Sequence, residues 1–570
     1  MSGRVSVVDD RLERILPRVM KPARYTNHEY NAVHKNWDEA DVTMVLAFPD
    51  VYEVGMGHLG YKLLYNTINA RTDALAERVY APWIDMEAEM ENAGLPLFSL
   101  ESKLPVTAFD VVGFTLQYEM SYTNILKMLD LAGIPRRTRD RTGEHPLVIA
   151  GGPCAFNVEP LAPFFDAVVL GEAEEAIHEI LDVLRACKER GLLSRQDLTA
   201  SLGRLAGVYI PDWYEAKYDE RGVFSGLEAV KDGAPHKVMK RVIPDMEQLP
   251  GPDSFVVPFI EVVHDRVMVE VMRGCTRGCR FCQAGMLYRP ARERSVETIK
   301  EQIRDLLAAT GYDEISLTSL STGDYSCVGD LVGELMQEYD GTGTALSLPS
   351  LRVDSFSVEL AKEIQRFRKT GLTFAPEAGT QRLRNVINKN VDEEQLMEAC
   401  RGAFEAGWHQ MKLYFMIGLP TETMDDVDGI ARLAFRVLDV GRKLHKRGRK
   451  RPTVTVSVSS FVPKVWTPFQ WEPQDAPDLL HEKQMRLKKA LKHPGIQYQY
   501  HDVSTSVLEA VFARGDRRLA EVLENAVDKG CGFDAWSERF QYSLWQEAFC
   551  SAGRELHAYA GHRFHKNDVL

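Results

Sequence analysis

Apolar positions in the first part of the chain fall in blocks that alternate between two periods. Residues 42–48 (VTMVLAF), 111–116 (VVGFTL), 146–152 (PLVIAGG) and 167–171 (AVVLG) are near-continuous apolar runs of strand length, the last two ending in glycine. Between them, Leu59, Leu63 and Leu64 within residues 55–69, and then Ile125, Leu126 and Leu129, recur at helical spacing. This alternation predicts a Rossmann-like, doubly wound parallel sheet over residues 41–215. Such sheets place ligands at the carboxyl ends of their strands.

The pattern resumes after a break. Residues 216–255 are mixed and turn-rich, closing on Leu-Pro-Gly-Pro-Asp at 249–253, and read as a linker. Strand-like runs then follow at 267–272, 314–318, 345–352, 371–380, 411–423 and 454–458. Helical patterns separate them: Ser295 opens one with Ile299, Ile303, Leu306 and Leu307 inward, and another carries Ile430, Leu433, Val437 and Leu438. Residues 256–475 are therefore expected to form a β/α domain. The first 40 residues read as an N-terminal extension and residues 476–570 as a mostly helical region. The fold class expected is α/β with a helical C-terminal region. No internal repeat or low-complexity tract appears.

Composition narrows the class. The chain has 570 residues, 45% hydrophobic and 26% charged, with a mean hydropathy of −0.25, which is ordinary globular composition. A net charge of −13 excludes nucleic-acid binding through the overall field, so such binding would need a local basic patch. The strongest one is the basic run 442–451 (RKLHKRGRKR), read first as a solvated helix end and second as a docking site for RNA. The opening twenty residues lack an apolar signal-peptide core, and no stretch of about 18 apolar residues is present. The expectation is a cytoplasmic protein in a reducing compartment, with no membrane partner.

There thiols point to metals or catalysis rather than to bridges. Nine cysteines are present, and three of them cluster in RGCTRGCRFC as Cys275, Cys279 and Cys282. Glycines 274 and 278 loosen this segment into a loop between the 267–272 strand and the helix opened by Ser295. Structural zinc wants four ligands, usually as two pairs, and no second pair is near. Iron–sulfur clusters are held by cysteine thiolates, normally four. Three on a [4Fe–4S] cluster leave one iron open.

The Cys-x3-Cys-x2-Cys loop with Phe281 before its last cysteine resembles the signature of the radical S-adenosylmethionine (SAM) enzymes. That resemblance implies a partial (β/α)6 barrel, a [4Fe–4S] cluster on the three cysteines, and S-adenosylmethionine bound to the open iron and cleaved to a 5′-deoxyadenosyl radical. It also implies contacts to that molecule. Phe281 would lie near the adenine. The segment Ser321-Thr322-Gly323-Asp324 is similar to the stretch that holds the methionine ammonium, with departures at Thr322 and Asp324. Ser350 and Arg352 would stand at a strand end, with Arg352 either on the methionine carboxylate or in a structural ion pair. Glu377 and Gly379 resemble the ribose-contacting strand, and Ile417 and Gly418 the adenine-contacting one.

The first domain resembles the cobalamin-binding fold through Asp50, Tyr52 and Gly55, then Thr115 and Leu116, Gly151 and Gly152, and Gly171 and Glu172. Tyr52 stands where a cobalt-ligating histidine would be, and His58 is better read as a helix-start residue than as its substitute. Tandem domains of this kind identify the chain as similar to a largely uncharacterised bacterial family of radical SAM proteins. What the resemblance implies is a radical enzyme that functionalises an unactivated carbon, by cobalamin-dependent methyl transfer or otherwise, with an electron donor such as flavodoxin or ferredoxin. The other readings are radical modification of RNA or protein without cobalamin, and a non-catalytic corrinoid or redox sensor. Methylthiolation is disfavoured because only Cys154 and Cys187 precede the loop. The tail's two thiols, Cys531 and Cys550, cannot hold a further cluster alone.

Overall fold

The computed structural model describes residues 7–220, 222–249, 251–348, 372–445 and 450–563. Its first sheet contains β1 (Val42–Phe48), β2 (Ala74–Tyr80), β3 (Val111–Thr115), β4 (Leu147–Gly151), β5 (Ala167–Val169) and β6 (Val208–Tyr209), in the order β2-β1-β3-β4-β5-β6. β1 to β5 are parallel and β6 runs antiparallel at the edge. Every residue of β1 and β2 is buried, as expected where helices cover both faces. The strand order reverses between β1 and β3, and ligands of doubly wound sheets bind at such a switch point.

The helix expected over 55–69 divides. A short turn, Tyr52–Gly55, precedes the helix Leu59–Asn69, and His58 caps the latter by accepting a hydrogen bond from Tyr61 N on its ring nitrogen. The expected linker carries structure of its own: a two-stranded antiparallel ribbon, β7 (Tyr214–Tyr218) and β8 (Phe224–Ala229), then a stretch whose Arg241 bridges to Gly171 at the end of β5.

β9 (Val267–Glu270) opens the second domain, and the short pair β10 (Met272–Arg273) and β11 (Arg292–Glu293) brackets the cysteine loop. β12 (Glu314–Thr318) lies parallel between β9 and β13 (Ala345–Ser347). A second parallel sheet holds β14 (Leu372–Glu377), β15 (Gln410–Ile417), β16 (Thr453–Ser460) and β17 (Ile496–Tyr500). Helices Val296–Thr310, Val328–Glu338, Glu393–Ala406, Met424–Leu444 and Pro477–Ala490 follow strands in turn, as a β/α barrel requires. Ser295 accepts from Thr298 N at the first of these, and Thr423 and Asp426 form a capping box at the fourth. β17 lies within the region expected to be helical and extends the barrel sheet.

The tail after β17 does not stand apart. Helices Val503–Arg514, Leu519–Asp528 and Tyr542–Ser551 bury Val511, Leu523 and Trp545 in the same apolar core as Val45, Phe114 and Leu126 of the first domain. Asp534 accepts from Thr123 Oγ1 (2.6 Å), and Asn124 accepts from Phe533 N (2.7 Å). The N-terminal extension joins this core too, through Leu12 and Ile15.

Arg78 of β2 is 1% exposed and sits between two buried carboxylates, Glu101 (2.6 Å) and Glu29 (3.0 Å). Burial alone would raise the Glu29 pKa, but the Arg78 guanidinium outweighs it and holds it below its ordinary value. Arg78→Met strands both acids and is expected to cost roughly 3–5 kcal/mol. The measurement is the urea midpoint, and adding Glu29→Gln and Glu101→Gln should recover most of the loss.

Candidate functional site

The loop Gly274–Cys282 leaves β10 and returns through the turn Ala284–Leu287. Gly274 and Gly278 both adopt left-handed backbone, at φ of 86° and 71°. At Gly274 a side chain would also strike Tyr288 O and Pro290 O, at 2.5 and 2.7 Å. The three thiols are free of disulfides. Cys275 Sγ receives Arg277 N (3.5 Å), and Cys282 Sγ receives Gly285 N (3.3 Å). Burial raises the Cys282 pKa, helped by the neighbouring Cys279 and Cys275 thiols, while Lys389 opposes the rise. Among the described residues no three His, Cys, Asp or Glu side chains converge on a single-ion site. Cys275 and Cys279 lie close enough to Cys282 to act on it electrostatically.

Segments from across the barrel hold this loop. Asp324 pairs with Arg277 through Nε (2.8 Å) and also through Nη2, and accepts from Ser321 Oγ (2.6 Å). Thr322 is fully buried, its hydroxyl turned to Ser319 Oγ and Leu317 O, and Gly323 sits in the same short helical turn. Opposite, Arg280 N donates to Ile387 O (3.0 Å), and Asn388 donates to Gly278 O (2.9 Å). Lys389 follows and reaches Glu377 Oε1 at 3.1 Å. Glu377 ends β14 at φ 65°, a conformation a non-glycine residue rarely holds. Phe281 packs with Met416 against Ala378, Leu419 and Phe461.

Two glycines meet local demands of the chain. A side chain at Gly379 would lie 2.3 Å from Ile430 N and 2.4 Å from Asp426 O, so the residue permits close contact with the helix after β15. Gly418, after the buried Ile417, takes φ 80° and donates its N–H to Glu422 (2.7 Å). Glu422 in turn is held by Lys483 at 2.6 Å. Ser350 and Arg352 lie outside the described residues. Arg277 and Lys389 had not been singled out from sequence. The signal for Lys389 is its flanking asparagines, Asn388 and Asn390, both at positive φ, which mark a tight turn.

Between the two domains lies a cavity of about 440 Å³. Its walls include Met44 and Leu46 of β1, Phe114 and Thr115 of β3, Gly151 and Gly152 after β4, and Gly171 and Glu172 after β5. Across from them stand Arg273, Gly274 and Tyr288 of the cysteine-loop region and Thr318 to Leu320 at the end of β12. Leu116 is fully buried behind this wall. Gly152 and Gly171 have φ of 116° and 99°, and side chains there would strike Leu116 O and Arg241 O. Their glycine character thus serves the neighbouring backbone. Glu172 is held by Arg292 in a two-point pair at 2.7 and 2.8 Å and by Arg273 at 3.6 Å, which ties the sheet to the cysteine loop.

Asp50, Tyr52 and Gly55 are not part of the cavity. Asp50 accepts from Trp536 Nε1 (3.0 Å), the Tyr52 hydroxyl donates to Glu29 (2.9 Å), and Gly55 makes room for the Tyr80 ring. His58 does line it. Its Nδ1 accepts from Tyr61 N (3.1 Å), which puts the ring proton on Nε2, and the Gln117 side chain hydrogen-bonds the ring. Gln117 also donates to Thr115 Oγ1 (2.6 Å).

Family comparisons agree with this arrangement. The model of the radical SAM superfamily matches residues 269–434, and that of the N-terminal region of radical SAM proteins matches residues 60–211. An uncharacterised protein of Methanocaldococcus jannaschii is 30% identical over 461 residues, covering 80% of this chain and 89% of the relative. The chain belongs to the radical SAM superfamily. An uncharacterised methyltransferase of Pyrococcus horikoshii is 26% identical over 308 residues, or 52% of this radical SAM chain and 59% of the relative. Among solved structures, the cobalamin-dependent S-adenosylmethionine radical enzyme OxsB shares the fold at a TM-score of 0.51 and 12% identity, covering 96% of this chain and 76% of that one. No helix among the described residues is long and apolar enough to cross a membrane.

Burial lowers the His58 pKa from 6.5 to about 4. The folded state therefore takes up this proton at lower pH than the unfolded chain does. The stability it protects is complete above pH 6.5 and is lost as pH falls toward 4. Because the ring lies on the wall of an open cavity, the loss is expected to be about 1–3 kcal/mol. His58→Asn keeps a capping side chain and should flatten this part of the stability–pH curve, measured by urea unfolding between those limits.

Proposed function

We propose that this radical SAM enzyme holds a [4Fe–4S] cluster on Cys275, Cys279 and Cys282, binds S-adenosylmethionine across the barrel mouth, and uses a corrinoid in the interdomain cavity to functionalise an unactivated carbon, methyl transfer being the leading outcome. The observation that carries this reading is the cavity itself. One apolar space joins the switch point of the first sheet to the end of the cysteine loop. Its volume of about 440 Å³ lies within the roughly 300–1,000 Å³ of small-molecule sites.

The residues fit a cluster. Three thiols sit on one loop within electrostatic reach of one another, and two accept main-chain N–H groups that favour the thiolate. They also fit a planar macrocycle held without a protein ligand to its metal. The hydroxyl of Tyr52 is committed to Glu29, and the His58 nitrogens are committed to the helix cap and to Gln117. When bound, these groups supply the electron that cleaves the sulfonium and the methyl that is transferred. The chain's own part is orientation. Lys389, beside Glu377 and Cys282, offers a cation to the methionine carboxylate, and Glu377 accepts ribose hydroxyls. Phe281 and Met416 flank the adenine. Asp324 receives the methionine ammonium only by sharing with Arg277, so that pair couples cosubstrate binding to the cysteine loop. Tyr288, on the wall between loop and cavity, and the apolar residues opposite keep water from the reacting carbon.

A second reading keeps the radical chemistry and drops the corrinoid, leaving the cavity to the substrate, an RNA or a protein. It is favoured by the absence of any uncommitted imidazole on the cavity wall among the described residues. A flavodoxin or ferredoxin would deliver the electron in either case.

Anaerobic reconstitution with iron, sulfide, S-adenosylmethionine and a reductant is expected to give 5′-deoxyadenosine. Cys275→Ser, Cys279→Ser and Cys282→Ser should each lose the iron and the product together. Colourless wild-type protein, or product that survives those changes, overturns the proposal. Corrinoid retained through gel filtration supports the first reading, and its absence the second. Arg277→Gln should keep its iron but form 5′-deoxyadenosine about 10–100-fold more slowly, as expected for a group that orients a metal-binding loop.

A further inference from the structure

A second cavity, of about 510 Å³, opens on the far side of the loop that follows β16. Phe156 from the exit of β4, Phe224 of β8, Trp466 and Trp471 of the loop, and Tyr559 and Arg554 of the tail line it. Its inner wall is also the support of the cysteine loop. Val465 lines the cavity, and its carbonyl accepts from Gln283, the residue after Cys282, at 3.4 Å. Phe469 N donates to Arg280 O (3.3 Å). Whatever binds here touches the segment on which the three cysteines rest.

Two features set this cavity apart from a packing defect. Trp466 sits at φ 65° with 55% of its surface exposed. Its amide donates to Gln470 Oε1 (2.8 Å), and its indole N–H donates to Phe156 O (2.9 Å). A strained backbone is thus pinned so that a large aromatic face points at water, which packing alone does not require. The second feature is Arg554. Its Nε is buried without a hydrogen-bond partner, and its guanidinium makes no ion pair among the described residues. A planar cation on the wall of a cavity is suited to an anionic group.

We propose that this cavity binds a nucleotide, its base stacked on Trp466 and Trp471 and its phosphate on Arg554. Aromatic side chains from four separate segments line the cavity, the composition of sites that stack unpaired bases. Gln470 and Glu555, at the same cavity, offer polar groups to its edge. The nucleotide is either a free mononucleotide or an unpaired residue of an RNA. As a substrate site it rests on the radical reading above, whereas the binding itself does not.

Equilibrium dialysis of the full chain with labelled UMP and with a short single-stranded oligouridylate tests this, because uridine avoids the adenosyl site. Saturable binding is expected, weakened about tenfold or more by Trp466→Ala, the loss that a stacked base gives, and several-fold by Arg554→Gln. Ribose 5-phosphate should bind far more weakly than UMP. Equal binding of both uridine probes assigns the site to free nucleotides, and a large preference for the oligomer assigns it to RNA. No saturable binding of either probe, or binding indifferent to both substitutions, overturns the proposal. If Trp466→Ala melts at lower temperature than the parent, Arg554→Gln alone decides. 5′-Deoxyadenosine formed without substrate should be unchanged in both variants, so failure of this site is told apart from failure of the radical reading.

Discussion

One buried ammonium joins the three parts of this molecule. Lys464, on the loop after β16, reaches Glu119 of the first domain at 2.6 Å and Glu509 of the tail at 2.9 Å. Burial disfavours its charge, but the two carboxylates outweigh that and hold its pKa above the ordinary lysine value. Glu509 also accepts from the Tyr118 hydroxyl (3.0 Å), so the acids are themselves positioned. Losing Lys464 would leave two unpaired carboxylates in a low-dielectric junction, a far larger penalty than losing a surface pair. Sheet, barrel and tail therefore share one geometry, and both cavities inherit their walls from it.

A second charged junction works beside it. Arg273 pairs with Glu270 and Glu174 at 2.7 and 2.6 Å, while Arg292 takes Glu172. These three acids and two bases are tied to one another beside the interdomain cavity, whose wall is otherwise largely apolar. A largely apolar space next to a cysteine-rich loop suits chemistry on carbon that carries no functional group, since few groups on its wall offer protons. The second cavity carries more aromatic side chains and more arginines on its wall.

Much of the site was legible because its signals are local. Continuous apolar runs gave the buried strands, Ser295 gave a helix start, and the thiol spacing gave the loop. The likeness of 371–380 and 411–423 to cosubstrate-binding strands pointed to Glu377 and Ile417, which the barrel brings to one mouth. What sequence could not convey was long-range commitment. Asp50 is satisfied by Trp536 and Tyr52 by Glu29, partners separated by 486 and 23 residues. Glycine was the most ambiguous signal. At Gly152, Gly171 and Gly379 the missing side chain makes room for nearby backbone, so chain packing alone would account for a glycine there. The tail is largely helical as expected, but helical periodicity reveals an apolar face and not which core it completes.

That last feature bears on how the protein is made. The first domain leaves the ribosome well before the helices that cover it, since Val511, Leu523 and Trp545 are synthesised hundreds of residues after Val45 and Phe114. At about 5–20 residues per second the nascent sheet waits tens of seconds with part of its greasy surface bare. Chaperone demand should accordingly centre on this interval, and a premature stop near the end of the message would damage the beginning of the fold.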